Sequence, residues 1–340
     1  MNIFIWQSEI WSRLVSQRVR LAHALLIHGQ VGIGKAVLAR QYAYSLLCQS
    51  PLREAGGFAC GVCKACHWLS QGAHPDFLLL QPESMAEEDG EEAEESETRK
   101  SKRKPSKHIR IEQIRTMQDT LATGSHQAGL RVIIIEPAEA MQPVTANALL
   151  KSLEEPPPDT LFLLVSDEAS RLLPTIRSRC QQVPVAPPER NIALAWLRGQ
   201  GVKDADALLS YAGGAPLKAL ALAESGDVRR EFTRRMAEPR PDPLALTDFC
   251  QTLEPLTVVT WIQQWAYDLA RAAMTGEVRY HGAQRERLVA LGGKLDMRKL
   301  HRFTRELCEA RALARHPLNA RLFFEAIFLS YRYLGVNANE

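Results

Sequence analysis

His28-Gly29-Gln30-Val31-Gly32-Ile33-Gly34-Lys35-Ala36 governs the reading of the whole 340-residue chain. Before it, residues 21–28 (LAHALLIH) are apolar enough to form a buried strand; after it, VLARQYAYSLLC carries apolar residues at helical spacing. Strand, glycine loop and helix in that order predict a phosphate-binding turn. In such a turn backbone N–H groups cradle phosphates at the start of a helix, and the lysine reaches the terminal phosphates. Gly29, Gly32, Gly34 and Lys35 are therefore the candidate nucleotide-binding residues. The next position departs from the pattern, because Ala36 has no hydroxyl for the Mg²⁺ that bridges the β- and γ-phosphates.

Working outward, RVIIIEP (131–137) and TLFLLVS (160–166) are two more apolar strands. Between them QPVTANALLKSLEEPP reads as a helix capped by Thr145 or Asn147 and stopped by Pro156. Strands apolar on both faces that alternate with helices predict a parallel sheet covered on both sides. The second strand also tests the ATP site independently. A hydrolysing site ends this strand with an aspartate for Mg²⁺ and often a glutamate that orients water, whereas here the strand ends Ile135-Glu136-Pro137. Glu136 is a partial substitute at the metal position, but Pro137 has no side-chain group to act as a base or polarise water. Losses at two strand ends predict a site that does not hydrolyse ATP.

Beyond residue 184 the texture changes. PVAPPERN is a proline-rich joint, followed by short helices at AWLRGQG, DADALLSYAGG and APLKALALAESG. From LTDFCQTLEPLTVVTWIQQWAYDLARAAM onward the helices lengthen. The expected architecture is an α/β P-loop domain over 1–183, a small helical domain over 184–226 and an all-α domain over 227–340. About 150 residues per domain gives two or three domains for this length.

Hydrophobic residues at 46% and charged residues at 24% suit a soluble globular protein. No apolar run approaches the roughly 18 residues that span a bilayer, which excludes a membrane partner. MNIFIWQSEIW has no basic stretch leading into an apolar core, so a cytoplasmic protein is expected. The net charge of +3 is unevenly distributed: residues 83–107 hold nine acids and six bases, leaving 36 bases and 30 acids elsewhere. That segment has no Leu, Ile, Val or aromatic residue and is expected to be a disordered insertion. The rest of the chain stands at +6, compatible with proximity to nucleic-acid phosphates.

Seven cysteines in a reducing compartment point to metal or buried-thiol roles before disulfides. Cys60, Cys63 and Cys66 stand at C-x2-C-x2-C spacing, with Cys48 upstream at the end of the helix after the P-loop. Four thiolates make a closed tetrahedral zinc site, structural because no coordination position stays open. An iron–sulfur cluster or a metal-free thiol cluster fits the same spacing. Cys63-Lys64-Ala65-Cys66-His67 also matches a c-type haem attachment sequence, but that reading leaves Cys48 and Cys60 unexplained and lacks an export signal. Cys180, Cys250 and Cys308 are expected to be small buried core residues.

Taken with His74-Pro75-Asp76, Ala146-Asn147-Ala148-Leu149-Leu150-Lys151-Ser152-Leu153-Glu154-Glu155-Pro156 and Ser178-Arg179-Cys180, the P-loop and the four-cysteine insertion resemble the clamp-loader subunits of bacterial DNA polymerase III. The resemblance covers about residues 20–226, and it implies the AAA+ fold, with a zinc module at 48–75, the helical domain as a lid and the C-terminal helices as an oligomerisation collar. Motor subunits of that family keep complete ATP sites. Ala36, Pro137 and Leu217, where the motor lid pattern has an arginine, resemble its rigid, non-motor branch. Lys218 is one residue away and so about 100° around the helix.

The resemblance implies that Arg179 acts in trans, reaching the γ-phosphate of ATP held by a neighbouring subunit. A guanidinium suits that role because it stabilises charge on the transferring phosphoryl group. The implied partners are the motor subunits, a delta-type clamp-opening subunit, the sliding clamp and primed DNA. The implied cofactors are zinc, and ATP or ADP bound without hydrolysis. The chain is thus expected to have no activity alone, and to belong to a DNA-directed DNA polymerase holoenzyme. Two alternatives are a hydrolysing AAA+ motor that uses Glu136 for Mg²⁺, and a zinc-dependent nucleic-acid-binding module with a vestigial P-loop.

Overall fold

The apolar runs around the glycine loop pair into one parallel sheet in the computed structural model, which describes residues 3–50, 56–86, 105–122, 129–224, 226–314, 316 and 318–335. Its strands are β1 (Ala24–His28), β2 (Phe77–Leu80), β3 (Arg131–Ile135), β4 (Thr160–Ser166) and β5 (Gln181–Pro184), in the order β2-β3-β4-β1-β5. Strand β1 lies between β4, with Ala24 opposite Phe162, and the edge strand β5, with Leu25 opposite Gln181. Every residue of β3 and β4 is buried, as strands covered on both faces require. The chain divides into two compact units, Met1–Ile192 and Ala193–Glu340.

The first unit adds α1 (Ser8–Ser16), α2 (Lys35–Leu47), α3 (Lys64–Ser70), α4 (Glu83–Ala86), α5 (Ile111–Ala122), α6 (Pro143–Glu154) and α7 (Pro174–Arg179). Helix α6 departs from expectation at its start. Gln142 is its N-cap and Pro143 its first residue, so neither Thr145 nor Asn147 caps it. A proline is favoured there because its φ is preset for the helix and its missing N–H would have had no helical partner. Its end is as expected: Glu155 leaves the helical region, as a residue before proline does.

Residues 87–104 of the charged insertion lie outside the described residues. The flanks of the insertion are joined. Ser84 N donates to Ser106 O at 3.1 Å, and the Glu83 carboxylate accepts from Ser106 N at 3.1 Å and from Arg110 at 3.0 Å.

Helices continue as α8 (Arg190–Gly199), α9 (Ala205–Tyr211), α10 (Pro216–Glu224), α11 (Gly226–Met236), α12 (Pro243–Cys250), α13 (Pro255–Thr275), α14 (Arg285–Gly292), α15 (Met297–Leu313) and α16 (Ala320–Arg332). The second unit has one small apolar cluster around Leu197, Leu209 and Ala219, and a larger one around Trp265, Phe303, Phe324 and Phe328. Cys250 and Cys180 are buried, but Cys308 is exposed. Helix α15 buries Leu300, Phe303, Leu307 and Ala310, and residue 308 lies about 100° from Leu307, off that stripe. No helix among the described residues is long and apolar enough to cross a membrane.

Candidate functional site

The glycine loop joins β1 to α2, and its backbone is built for close approach. A Cβ on Gly29 would stand 2.2 Å from Val185 O, and Gly34 adopts a left-handed φ of +86° with the Phe4 ring against it. Lys35 opens α2 but does not point to solvent. It is 3% exposed, and its Nζ donates to Asp167 Oδ1 at the end of β4 (2.5 Å) and to Gln30 O (2.7 Å). A carboxylate of the same chain thus occupies the lysine that a nucleotide phosphate would otherwise neutralise.

The loop is also held from the N-terminus. Fully buried Gln7 donates through Nε2 to Ile33 O (3.1 Å) and Gly34 O (2.9 Å), and Trp6 Nε1 donates to Ile33 O (3.0 Å). Phe4 and Trp6 stack on each other at 4.7 Å. Asp167 is itself placed by Glu139, whose Oε1 accepts from Asp167 N (2.9 Å) and Glu168 N (3.3 Å).

At the end of β3, Glu136 is 8% exposed, with its carboxylate 3.6 Å from Arg40 of α2. A glutamate facing a guanidinium is poorly placed to take Mg²⁺ as well, and Pro137 follows it. In the second unit, Lys218 on α10 is held below the ordinary lysine range by burial and by Arg311. The loop therefore keeps the glycines and the lysine of the P-loop pattern, with Ala36 after the lysine, and the carboxylates of Asp167 and Glu136 each face a cation of the chain.

Arg179 lies at the other end of the sheet's helical cover, as the last residue of α7. Its Nη1 donates to Thr175 O (2.9 Å) and its Nη2 to Glu154 Oε1 (2.6 Å), and the side chain remains 35% exposed. Burial of Ile176 and Cys180 anchors this turn in the core beneath α6.

The four cysteines converge as the spacing predicts. All four sulfurs lie within 4.8 Å of one another, with Cys48–Cys63 and Cys60–Cys66 each at 3.9 Å. Tetrahedral Zn–S bonds of about 2.3 Å put sulfurs roughly 3.8 Å apart, so the donor set fits zinc. Cys60 N, Cys63 N and Cys66 N each direct an N–H at a sulfur of the set, all at 3.4 Å. N–H groups of Val62 and Cys63 draw the Cys60 thiol down to about 6, while burial pushes Cys66 up to about 12. Three groups escaped sequence reasoning: Gln7, with no local motif; Asp167, noticeable only as a carboxylate just past a buried strand; and Glu154, inside a quoted motif but without an assigned role.

A family model described as DNA polymerase III, delta subunit, matches residues 6–189. The chain is 36% identical over 346 residues to DNA polymerase III subunit delta' of Pseudomonas aeruginosa, covering 98% of each chain. It is 35% identical over 227 residues to DNA polymerase III subunit delta' of Escherichia coli, covering 65% of this chain and 61% of that one. It is also 29% identical over 243 residues to DNA polymerase III subunit gamma/tau of Mycobacterium bovis, covering 67% of this chain and 38% of that one.

Proposed function

This chain belongs to the DNA polymerase III subunit delta' family, and from that premise we propose that it is a non-hydrolysing subunit of the replicative clamp loader, which supplies Arg179 to an ATP site on a neighbouring motor subunit. The observation that carries this reading is the contrast within one unit: Lys35 is neutralised in cis by Asp167, while Arg179 stays at the surface with donors to spare. ATP or ADP at Gly29, Gly32, Gly34 and Lys35 would be held rather than hydrolysed, and would have to displace the Asp167 carboxylate to reach the lysine. The Lys35–Asp167 and Arg40–Glu136 pairs count against a hydrolysing motor.

In this reading the chain works in the cytoplasm with motor subunits, a delta-type subunit, the sliding clamp and primed DNA. The AAA+ domain carries the finger, the small helical domain is the lid, and the C-terminal helices form the collar. Cys48, Cys60, Cys63 and Cys66 hold one zinc ion, which crosslinks the end of α2 to α3 and has no catalytic role. Metal analysis of the purified chain should give one zinc per chain, lost in Cys63→Ser; iron, or no metal, would overturn that assignment.

The main test uses ATP turnover. The chain alone should hydrolyse no ATP. Added to partner ATPase subunits with clamp and primed DNA, it should stimulate their hydrolysis, and Arg179→Ala should assemble but fail to stimulate. Turnover by the chain alone that is lost on Lys35→Ala would overturn the reading.

A further inference from the structure

Arg179 is held by a residue from a different helix, and the chemistry of that residue is out of place for its own helix. Glu154 is the last residue of α6, where the helix dipole presents negative partial charge and disfavours a carboxylate. Among the described residues its one ion pair is with Arg179, at 2.6 Å. The pair is exposed, with the two side chains at 35% and 49%, so it adds little to folding stability. A contact that helps neither its helix nor the fold needs another account.

The framework under the pair is closely packed. Helix α6 buries Ala146, Leu149 and Leu153, and α7 buries Ile176, all in one core, so both helix ends sit on the same packed layer. Gln118 of α5 ties down the last turns of α6, donating to Ala148 O and Ser152 Oγ, both at 3.0 Å. Pro156 forces α6 to stop where it does, which places the Glu154 carboxylate beside the end of α7.

Glu154 takes one N–H of Nη2 and Thr175 O takes one of Nη1. A guanidinium has five N–H donors in a fixed plane, so three remain uncommitted. We propose that Glu154 is the positioning residue for Arg179, fixing the plane of its guanidinium so that the remaining donors meet the γ-phosphate of the neighbour's ATP without a search through rotamers. This inference rests on the trans-arginine reading. An arginine already ordered loses less rotamer freedom when it engages phosphate, and a misplacement of about 1 Å at a reacting centre costs on the order of a hundredfold in rate.

The test uses the assembled loader with clamp and primed DNA, built so that only the partner beside Arg179 has a hydrolysing site. Glu154→Ala should lower kcat for ATP about tenfold with KM within twofold, while assembly by size-exclusion chromatography and the melting temperature of the chain stay unchanged. Glu154→Gln, which keeps an acceptor of the same shape, should recover part of the loss. The double variant Glu154→Ala/Arg179→Ala should be no slower than Arg179→Ala alone, because Glu154 acts only through the arginine. If Arg179→Ala slows hydrolysis while Glu154→Ala is at the native rate or faster, the positioning role falls and the finger stands. A further loss in the double variant also overturns it, by revealing an effect independent of Arg179. If Arg179→Ala has no effect, both fall together.

Discussion

Two ion pairs at opposite ends of one unit put the same kinds of group to different ends. At the glycine loop the cation is 3% exposed and its carboxylate 36%; at the end of α7 the cation is 35% exposed and its carboxylate 49%. A cation removed from water depends on its counter-ion, and taking that partner away leaves a buried uncompensated charge. A cation at the surface is solvated with or without a partner, so its pair contributes little to the fold. The Lys35 pair is therefore part of the architecture, and the Arg179 pair leaves its arginine available to a second molecule. Burial, more than residue type, separates a cation that the fold depends on from one that stays accessible at the surface.

The contrast can be broken at either end. The largest effect is expected at the exposed end: Arg179→Ala should slow hydrolysis at the adjoining partner site by about a thousandfold, equivalent to about 4 kcal/mol of barrier. Urea unfolding of the same variant should be nearly native. At the loop the order reverses. Asp167→Ala should destabilise the chain by about 3 kcal/mol in urea unfolding, because it strands Lys35 with only Gln30 O. Gln7→Ala should cost about 1.5 kcal/mol, since the buried carbonyls of Ile33 and Gly34 lose a donor. Lys35→Met should cost least, about 1 kcal/mol, because the Asp167 carboxylate it leaves behind can be hydrated. A larger loss for Lys35→Met than for Asp167→Ala would refute the buried-cation account.

Much of the first unit is legible in its residues. β1, β3 and β4 are apolar on both faces and stand out from their neighbours. β2 is not legible: it is four residues long, at the sheet edge, and mostly half-buried, too short to establish a period. The convergence of Cys48, Cys60, Cys63 and Cys66 is legible because three of them stand at C-x2-C-x2-C spacing, which tight turns bring together. Cys308 misleads, because burial of a lone cysteine depends on which face of α15 it occupies.

Read from the residues alone are the strand, glycine loop and helix around Lys35, the departures from the P-loop pattern at Ala36 and Pro137, the spacing of the four cysteines and the Ser178-Arg179-Cys180 turn. These are statements of residue type over short spans, where covalent geometry limits what neighbours can do. That Lys35 meets Asp167, 132 residues away, that Gln7 closes the loop from 26 residues upstream, and that Glu154 pairs with Arg179 follows from packing across the fold. Each of those pairs forms because packed strands and helices bring distant ends to one place, and no local spacing encodes that meeting.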